Sequence, residues 1–198
     1  MGKIFYLIGK SGAGKDSIYN IIQKDRELDL HPVIRYTTRP IRDGETDGVN
    51  YHFVDIKDYE SFKAEGKIIE EQVYQTVHGD WYYFTADDGN IDIDNNDYIA
   101  IGVLDSFAGT REYYGKDIVL PIYIELDDGE RLQRALTRER LPENRKYAEM
   151  CRRFLADAHD FREERIEELG IPKDARFEND DLNDCAERIK TWILKSIR

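Results

Sequence analysis

The residues Gly9-Lys10-Ser11-Gly12-Ala13-Gly14-Lys15 form a glycine-rich run that ends on a lysine. Glycines at these spacings let the backbone curl tightly, so that successive N–H groups point at the oxygens of one anion. An apolar run, Ile4 to Ile8, precedes the glycines, and a segment of helical character from about Lys15 to Lys24 follows them. Strand, glycine turn and helix in this order make a phosphate-binding loop. The helix N-terminus contributes partial positive charge, and the lysine reaches the β- and γ-phosphates. The residues expected to line the phosphates are Gly9, Ser11, Gly12, Ala13, Gly14, Lys15, Asp16 and Ser17. Such a loop takes ATP with Mg²⁺. One position departs from the motif: Asp16 stands where a Ser or Thr hydroxyl would meet the metal. A carboxylate there can ligate Mg²⁺ directly or through water, or it can point away as an acidic residue favoured in a first helical turn.

A second stretch is rich in groups that grip anions. Thr37-Thr38-Arg39-Pro40-Ile41-Arg42-Asp43-Gly44-Glu45 is followed by Gly48-Val49-Asn50-Tyr51-His52-Phe53-Val54. Arg39 and Arg42, three residues apart on a loop, can hold a phosphate bidentately, and Tyr51 can add a neutral hydrogen bond. Alone, two loop arginines are usually just solvated charges.

Together with the preceding phosphate loop, this stretch resembles the acceptor-binding signature of the guanylate kinases, Thr-Thr-Arg-x-x-Arg-x-Gly-Glu, then Gly, then Tyr-x-Phe-Val. The resemblance extends over most of the chain, and it implies roles for further residues. Glu70, in Ile68-Ile69-Glu70, matches the family glutamate that meets the guanine edge. Tyr82, in Trp81-Tyr82-Tyr83, matches a tyrosine on the acceptor phosphate. Arg134 and Arg138 match the lid, Arg153 matches an arginine that meets the transferring phosphoryl group, and Asn179 matches the turn beside adenine. The implied fold is an α/β P-loop kinase: a parallel sheet covered by helices, a small mixed β substrate-binding lobe and a helical lid. The implied reaction is phosphoryl transfer from ATP, with Mg²⁺, to a nucleoside monophosphate, GMP or dGMP. Lys15, Arg42, Arg138 and Arg153 would stabilise the moving phosphoryl group, and no general base is needed because the acceptor phosphate is already ionised.

The chain departs from the family in its base-reading residues. Arg35 stands where the family has Ser. Tyr83-Phe84 replaces Gly followed by a hydroxyl residue, a role left to Thr85 in a shifted register. Asp105 is the one carboxylate in the segment after the strand at Tyr98 to Leu104. The phosphate-binding set is therefore better kept than the base-reading set, and a same-fold kinase for another nucleotide or phosphorylated small molecule is the alternative. Guanylate kinase-like domains also serve as protein-binding modules, but those have lost the lysine that stands here as Lys15.

The elements that must position these residues follow from hydrophobic pattern. Extended segments are expected at Ile4 to Ile8, Val33 to Thr37, Tyr51 to Val54, Ile68 to Tyr74, Trp81 to Thr85, Tyr98 to Leu104, Ile118 to Leu126 and Ala175 to Phe177. Helices are expected at Tyr59 to Ala64, Phe107 to Tyr114, Glu130 to Arg138, Tyr147 to Leu169 and Leu182 to Ile197. His78-Gly79-Asp80 offers a turn, and the charged stretch Glu139 to Lys146 with Pro142 reads as a loop. Alternating strands and helices imply a parallel sheet, and the segment from about Val33 to Asp94 interrupts that rhythm as an inserted lobe. One domain of 198 residues is expected, with the core at about 1–32, 97–130 and 165–198, the lobe at about 33–96 and the lid at about 131–164.

Composition sets outer limits. A net charge of -12 argues against nucleic acid or anionic membrane as partner, so an anionic substrate needs a local basic pocket. Cys151 and Cys185 fit no metal or redox spacing and read as two core thiols. The apolar run after Met1-Gly2-Lys3 is a strand and not a leader, and no run is long enough to span a bilayer, so a cytoplasmic protein is expected.

Overall fold

The computed structural model describes residues 1–76, 79–141 and 145–197. His78 of the expected turn and Pro142 of the expected charged loop lie outside the described residues. Ile4–Gly9 (β1) is buried along its whole length. Phe5 and Leu7 pack with Ile18, Ile22, Ile189 and Ile193, whereas Ile4, Tyr6 and Ile8 pack with Leu104, Phe107 and Ile166. A strand apolar on both faces must be covered on both, which is the condition of a parallel sheet. β1 lies between Tyr98–Ile101 (β7) and Val119–Glu125 (β8). His31–Pro32 (β2) lies beyond β7 and Arg176–Glu178 (β9) beyond β8, and every pairing is parallel. Lys15–Gln23 (α1) and Leu182–Ile197 (α7) cover one face. Leu104–Tyr114 (α3) and Glu163–Glu168 (α6) cover the other.

A second, mixed sheet is inserted between β2 and β7. It contains Tyr36–Thr37 (β3), His52–Phe53 (β4), Ile68–Thr76 (β5) and Gly79–Ala86 (β6) in the order β4-β3-β6-β5. β3 and β4 are parallel and the other two pairs antiparallel. Ile56–Ala64 (α2) begins at a capping box in which Asp55 and Asp58 each bond the other's backbone N–H. It brings Tyr59 and Phe62 onto Phe84, a small core of the lobe's own. Asp128–Glu139 (α4), capped by Asp127, and Tyr147–Asp160 (α5) pack beside the glycine loop. The α/β architecture, parallel sheet and mixed second sheet agree with expectation.

Three segments differ from the pattern reading. Val33 to Thr37 is not one strand: β2 ends at Pro32, β3 starts at Tyr36, and the chain crosses between sheets in between. Pro32 lies on the sheet edge, where its missing N–H takes nothing from the ladder. The strand at Tyr98 stops at Ile101 and α3 starts already at Leu104; Gly102 between them leaves no room for a side chain, since a Cβ there would lie 2.5 Å from the Tyr6 hydroxyl. The long helix from Tyr147 breaks at Asp160, where Phe161 turns inward and stacks on Tyr123 at 5.8 Å. Of the two thiols expected in the core, Cys185 is buried but Cys151 is exposed on α5.

Candidate active site

The loop between β1 and α1 has the backbone that a phosphate cradle needs. Gly12 and Gly14 adopt φ of +83° and +89°, the left-handed region that side chains disfavour. A Cβ at Gly14 would also lie 2.3 Å from the Asn179 side-chain nitrogen. Asn179 is buried and donates Nδ2–H to the Ala13 carbonyl at 2.7 Å, which ties the turn after β9 to the loop. Lys15 opens α1, and its ammonium has Asp16 as its ion-pair partner at 3.8 Å. The loop, the helix N-terminus and Lys15 therefore fit a polyphosphate. Asp16 and Ser17 are exposed in the first turn of α1. Among the described residues, no group of three His, Cys, Asp or Glu side chains forms a metal cage.

Sequence reasoning missed the pair that supports this loop. Arg131 of α4 has no exposed side-chain surface. It donates to the Ser11 carbonyl at 3.1 Å, to Asp157 at 3.0 Å and to Asp128, and its guanidinium lies 4.8 Å from the centre of the Phe154 ring. Asp157, on α5, also accepts the Ser11 N–H at 2.7 Å. Helices α4 and α5 are thus fastened to the glycine loop by a charge pair whose arginine is fully buried. The signal was present: Arg131 and Ala135 form the buried face of α4, and a charge on such a face requires a partner. Arg138, Arg153 and Ser11 line one small cavity of about 70 Å³. Arg153 is paired with Glu149 at 2.8 Å on its own helix, and Arg134 donates to the Asn179 carbonyl at 3.2 Å.

Across a cavity of about 520 Å³, lined among others by Asp16, Asn20, Arg35, Glu45 and Tyr51, stands the arginine loop. Arg39 is buried, with its guanidinium spent on Glu45 at 2.5 and 2.7 Å, the Tyr83 hydroxyl at 3.0 Å and the Pro40 carbonyl at 2.9 Å. It also lies 5.1 Å from the centre of the Tyr51 ring. Arg42 is exposed on the same loop, and its backbone N–H is bound by Glu45 at 2.9 Å. Tyr82, expected beside the acceptor phosphate, and its neighbour Tyr83 take opposite faces of β6. Strand alternation turns Tyr82 to the α2 side, stacked on Tyr59 at 4.1 Å, and Tyr83 is the neighbour that faces Arg39 and Tyr51. Glu70 and Thr85 are cross-strand partners and hydrogen-bond at 2.6 Å, while Arg35 forks onto the Glu70 carboxylate at 3.0 and 2.9 Å. Asp105 is in the first turn of α3 and pairs with Arg165 of α6, apart from that cluster.

The Arg39–Glu45 pair has a pH signature. Hydrogen bonds from Arg39 lower the Glu45 carboxyl from 4.5 to about 2. A depressed acid contributes stability above its unfolded value that is lost as pH falls through its folded value. Glu45→Gln is therefore expected to be less stable than the native chain at pH 7, with the gap shrinking between pH 4.5 and about 2. Urea midpoints measured across that range check this, and a gap that stays constant with pH contradicts it.

The family model for guanylate kinase matches residues 1–196. A guanylate kinase of Syntrophotalea carbinolica is 43% identical over 81 residues, 41% of this chain and 37% of its own length. One from Alkalilimnicola ehrlichii is 39% identical over 82 residues, 41% of this chain and 38% of its own. The chain thus matches less than two fifths of the length of these relatives. The crystal structure of guanylate kinase from Anaplasma phagocytophilum superposes with a TM-score of 0.69 at 20% identity, covering 99% of this chain and 86% of that one, a likeness of fold. No helix among the described residues is long and apolar enough to cross a membrane. With a model match from end to end, a phosphate loop at the head of α1 and an arginine loop across the cleft, the chain belongs to the guanylate kinase family.

Proposed function

We propose that the chain transfers the γ-phosphoryl group of ATP to a nucleoside monophosphate, GMP or dGMP by family, giving ADP and the diphosphate. The observation that carries this reading is the left-handed glycine loop before Lys15, together with a cavity lined by Asp16 of the first turn of α1 on one side and by Glu45 and Tyr51 of the arginine loop on the other. In-line transfer needs little covalent chemistry from a protein. It needs two anions held together and charge stabilised as it moves. The bond from phosphorus to the β-phosphate oxygen breaks, ADP leaves with the electron pair, and an oxygen of the acceptor phosphate forms the new bond. The loop amides and Lys15 hold the donor phosphates, with Asn179 fixing the loop on the adenine side. Arg42, Tyr51 and, once Glu45 yields it, Arg39 hold the acceptor, and Arg138 and Arg153 close over the moving group. Mg²⁺, when bound, would neutralise charge on the donor phosphates, with Asp16 as the residue that would hold it directly or through water. In this reading the chain acts as one unit, with a core, an acceptor lobe at about 33–96 and a lid at about 131–164, and it works in the cytoplasm, where its nucleotides are.

A second reading, a same-fold kinase for a different nucleotide or phosphorylated small molecule, is favoured by one observation. Glu70, the group expected at the base, is already saturated by Arg35 and Thr85. ADP release measured over a panel of monophosphates separates the two. GMP as the fastest acceptor supports the first reading, and another acceptor working where GMP fails supports the second. ATP turnover with none of them overturns both.

A further inference from the structure

Arg35 and Glu70 form the most completely built polar cluster of the lobe. A register shift between Ile68 and Glu70 on β5 sets Glu70 opposite Thr85. Both carboxylate oxygens are then occupied: Arg35 Nε donates to Oε1, Arg35 Nη2 to Oε2, and the Thr85 hydroxyl to Oε1. Nη2 reaches the Tyr83 carbonyl as well, at 3.3 Å. From behind, α3 closes the site. Gly109 lies so near that a Cβ there would come within 2.6 Å of the Glu70 Cβ. The Glu70 side chain is 3% exposed. A charge buried to this degree is tolerated only when its partner and hydrogen bonds are complete, as they are here.

The two members of the pair face different surroundings. Arg35 lines the large acceptor cavity with Tyr51, Asp16 and Asn20, and Glu70 is not among the lining residues. Arg35 Nη1 donates to no partner among the described residues. What meets an acceptor at this end is therefore a guanidinium N–H, not a carboxylate oxygen. A carboxylate reads N–H donors, such as the N1–H and 2-amino group of guanine. A guanidinium only donates, and so it reads oxygens that accept.

We propose that Arg35 is the specificity-determining residue of the acceptor site. It masks Glu70 and selects a phosphomonoester whose end remote from the phosphate carries an oxo or anionic oxygen. This rests on the phosphotransfer reading above and deepens its second form, in which the preferred acceptor is a nucleotide other than GMP. A site built around a particular donor or acceptor rejects an analogue that leaves its buried groups unpaired far more strongly than a site defined by shape.

Guanosine and xanthosine monophosphates test the assignment, because they differ at ring C2, where an amino donor becomes an oxo acceptor. The quantity measured is the ratio of kcat/KM for xanthosine monophosphate to that for guanosine monophosphate, with ATP as donor. The native chain is expected to favour xanthosine monophosphate. Arg35→Ser uncovers Glu70 and is expected to move the ratio toward guanosine monophosphate by about tenfold to a hundredfold, the worth of one charge-assisted hydrogen bond. Arg35→Lys keeps the charge but loses the planar fork, and a smaller shift in the same direction is expected. It carries the test if the serine variant fails to melt cooperatively. A ratio that stays within twofold in a folded variant, while transfer itself persists, overturns the Arg35 assignment alone. No transfer to any monophosphate by the native chain overturns the phosphotransfer reading, and the assignment falls with it.

Discussion

Lys15→Met is expected to lower ATP-dependent phosphoryl transfer by about a thousandfold or more, while the protein melts within about 2 °C of the native chain. The two halves of this expectation have separate causes. Among the described residues the Lys15 ammonium pairs with Asp16 alone, at 3.8 Å, and the Asp16 side chain is 79% exposed. Exposed pairs contribute about 0–1 kcal/mol to stability, so the fold loses little. In the proposed mechanism the same ammonium stands beside the donor phosphates held by the loop amides. There it can neutralise charge that develops only during transfer, and its removal appears in kcat. Methionine keeps the length of the stem and removes only the charge. Single-turnover transfer beside a thermal melt checks the prediction. Near-native turnover in a folded variant contradicts it, and so does a large drop in melting temperature.

Arg131→Met is expected to show the opposite profile, a loss of stability first and of activity as its consequence. Arg131 is fully buried and satisfies the Ser11 carbonyl and Asp157 at once. Removing it leaves the Asp157 carboxylate, 16% exposed, without its counter-charge beside the loop. Breaking a buried pair from one side costs about 3–5 kcal/mol. For a chain of this size that corresponds to a fall of about 10 °C or more in melting temperature. A second change, Asp157→Ala in the Arg131→Met background, removes the stranded charge and is expected to recover much of the loss. Non-additivity of this kind separates a coupled pair from two independent packing sites. Denaturant unfolding of the two single variants and the double variant measures it. Additive effects would rule out the pair as the fastening between lid and loop.

The ease of reading the sequence followed the range of the interaction being read. Ile4 to Ile8 and the glycines after it were legible because period and turn chemistry act within a few residues. The arginine loop was legible as a spacing. The limits of α3 were not, since its N-cap is Val103, which makes no side-chain cap hydrogen bond and so leaves no capping signal in the sequence. Tyr82 and Tyr83 show how sensitive a site is to strand phase. One residue along β6 reverses the face, and only the pairing of β6 with β3 and β5 fixes which side meets Arg39. Arg131 and Asp157 lie on separate helices, so local pattern gives no hint of their pairing beyond one charged residue on a buried face. Arg35 stood out as a departure, but that it covers Glu70 emerges only when β5, β6 and the crossing between sheets come together.

Phosphorus NMR of the native chain with ATP, Mg²⁺ and a monophosphate acceptor tests the central claim most directly. Phosphoryl transfer predicts that ADP and the acceptor's diphosphate grow together in equal amounts, and that little inorganic phosphate forms when the acceptor is left out. An ATP spectrum unchanged across the whole acceptor panel would contradict the account, as would a rise of inorganic phosphate that no acceptor alters.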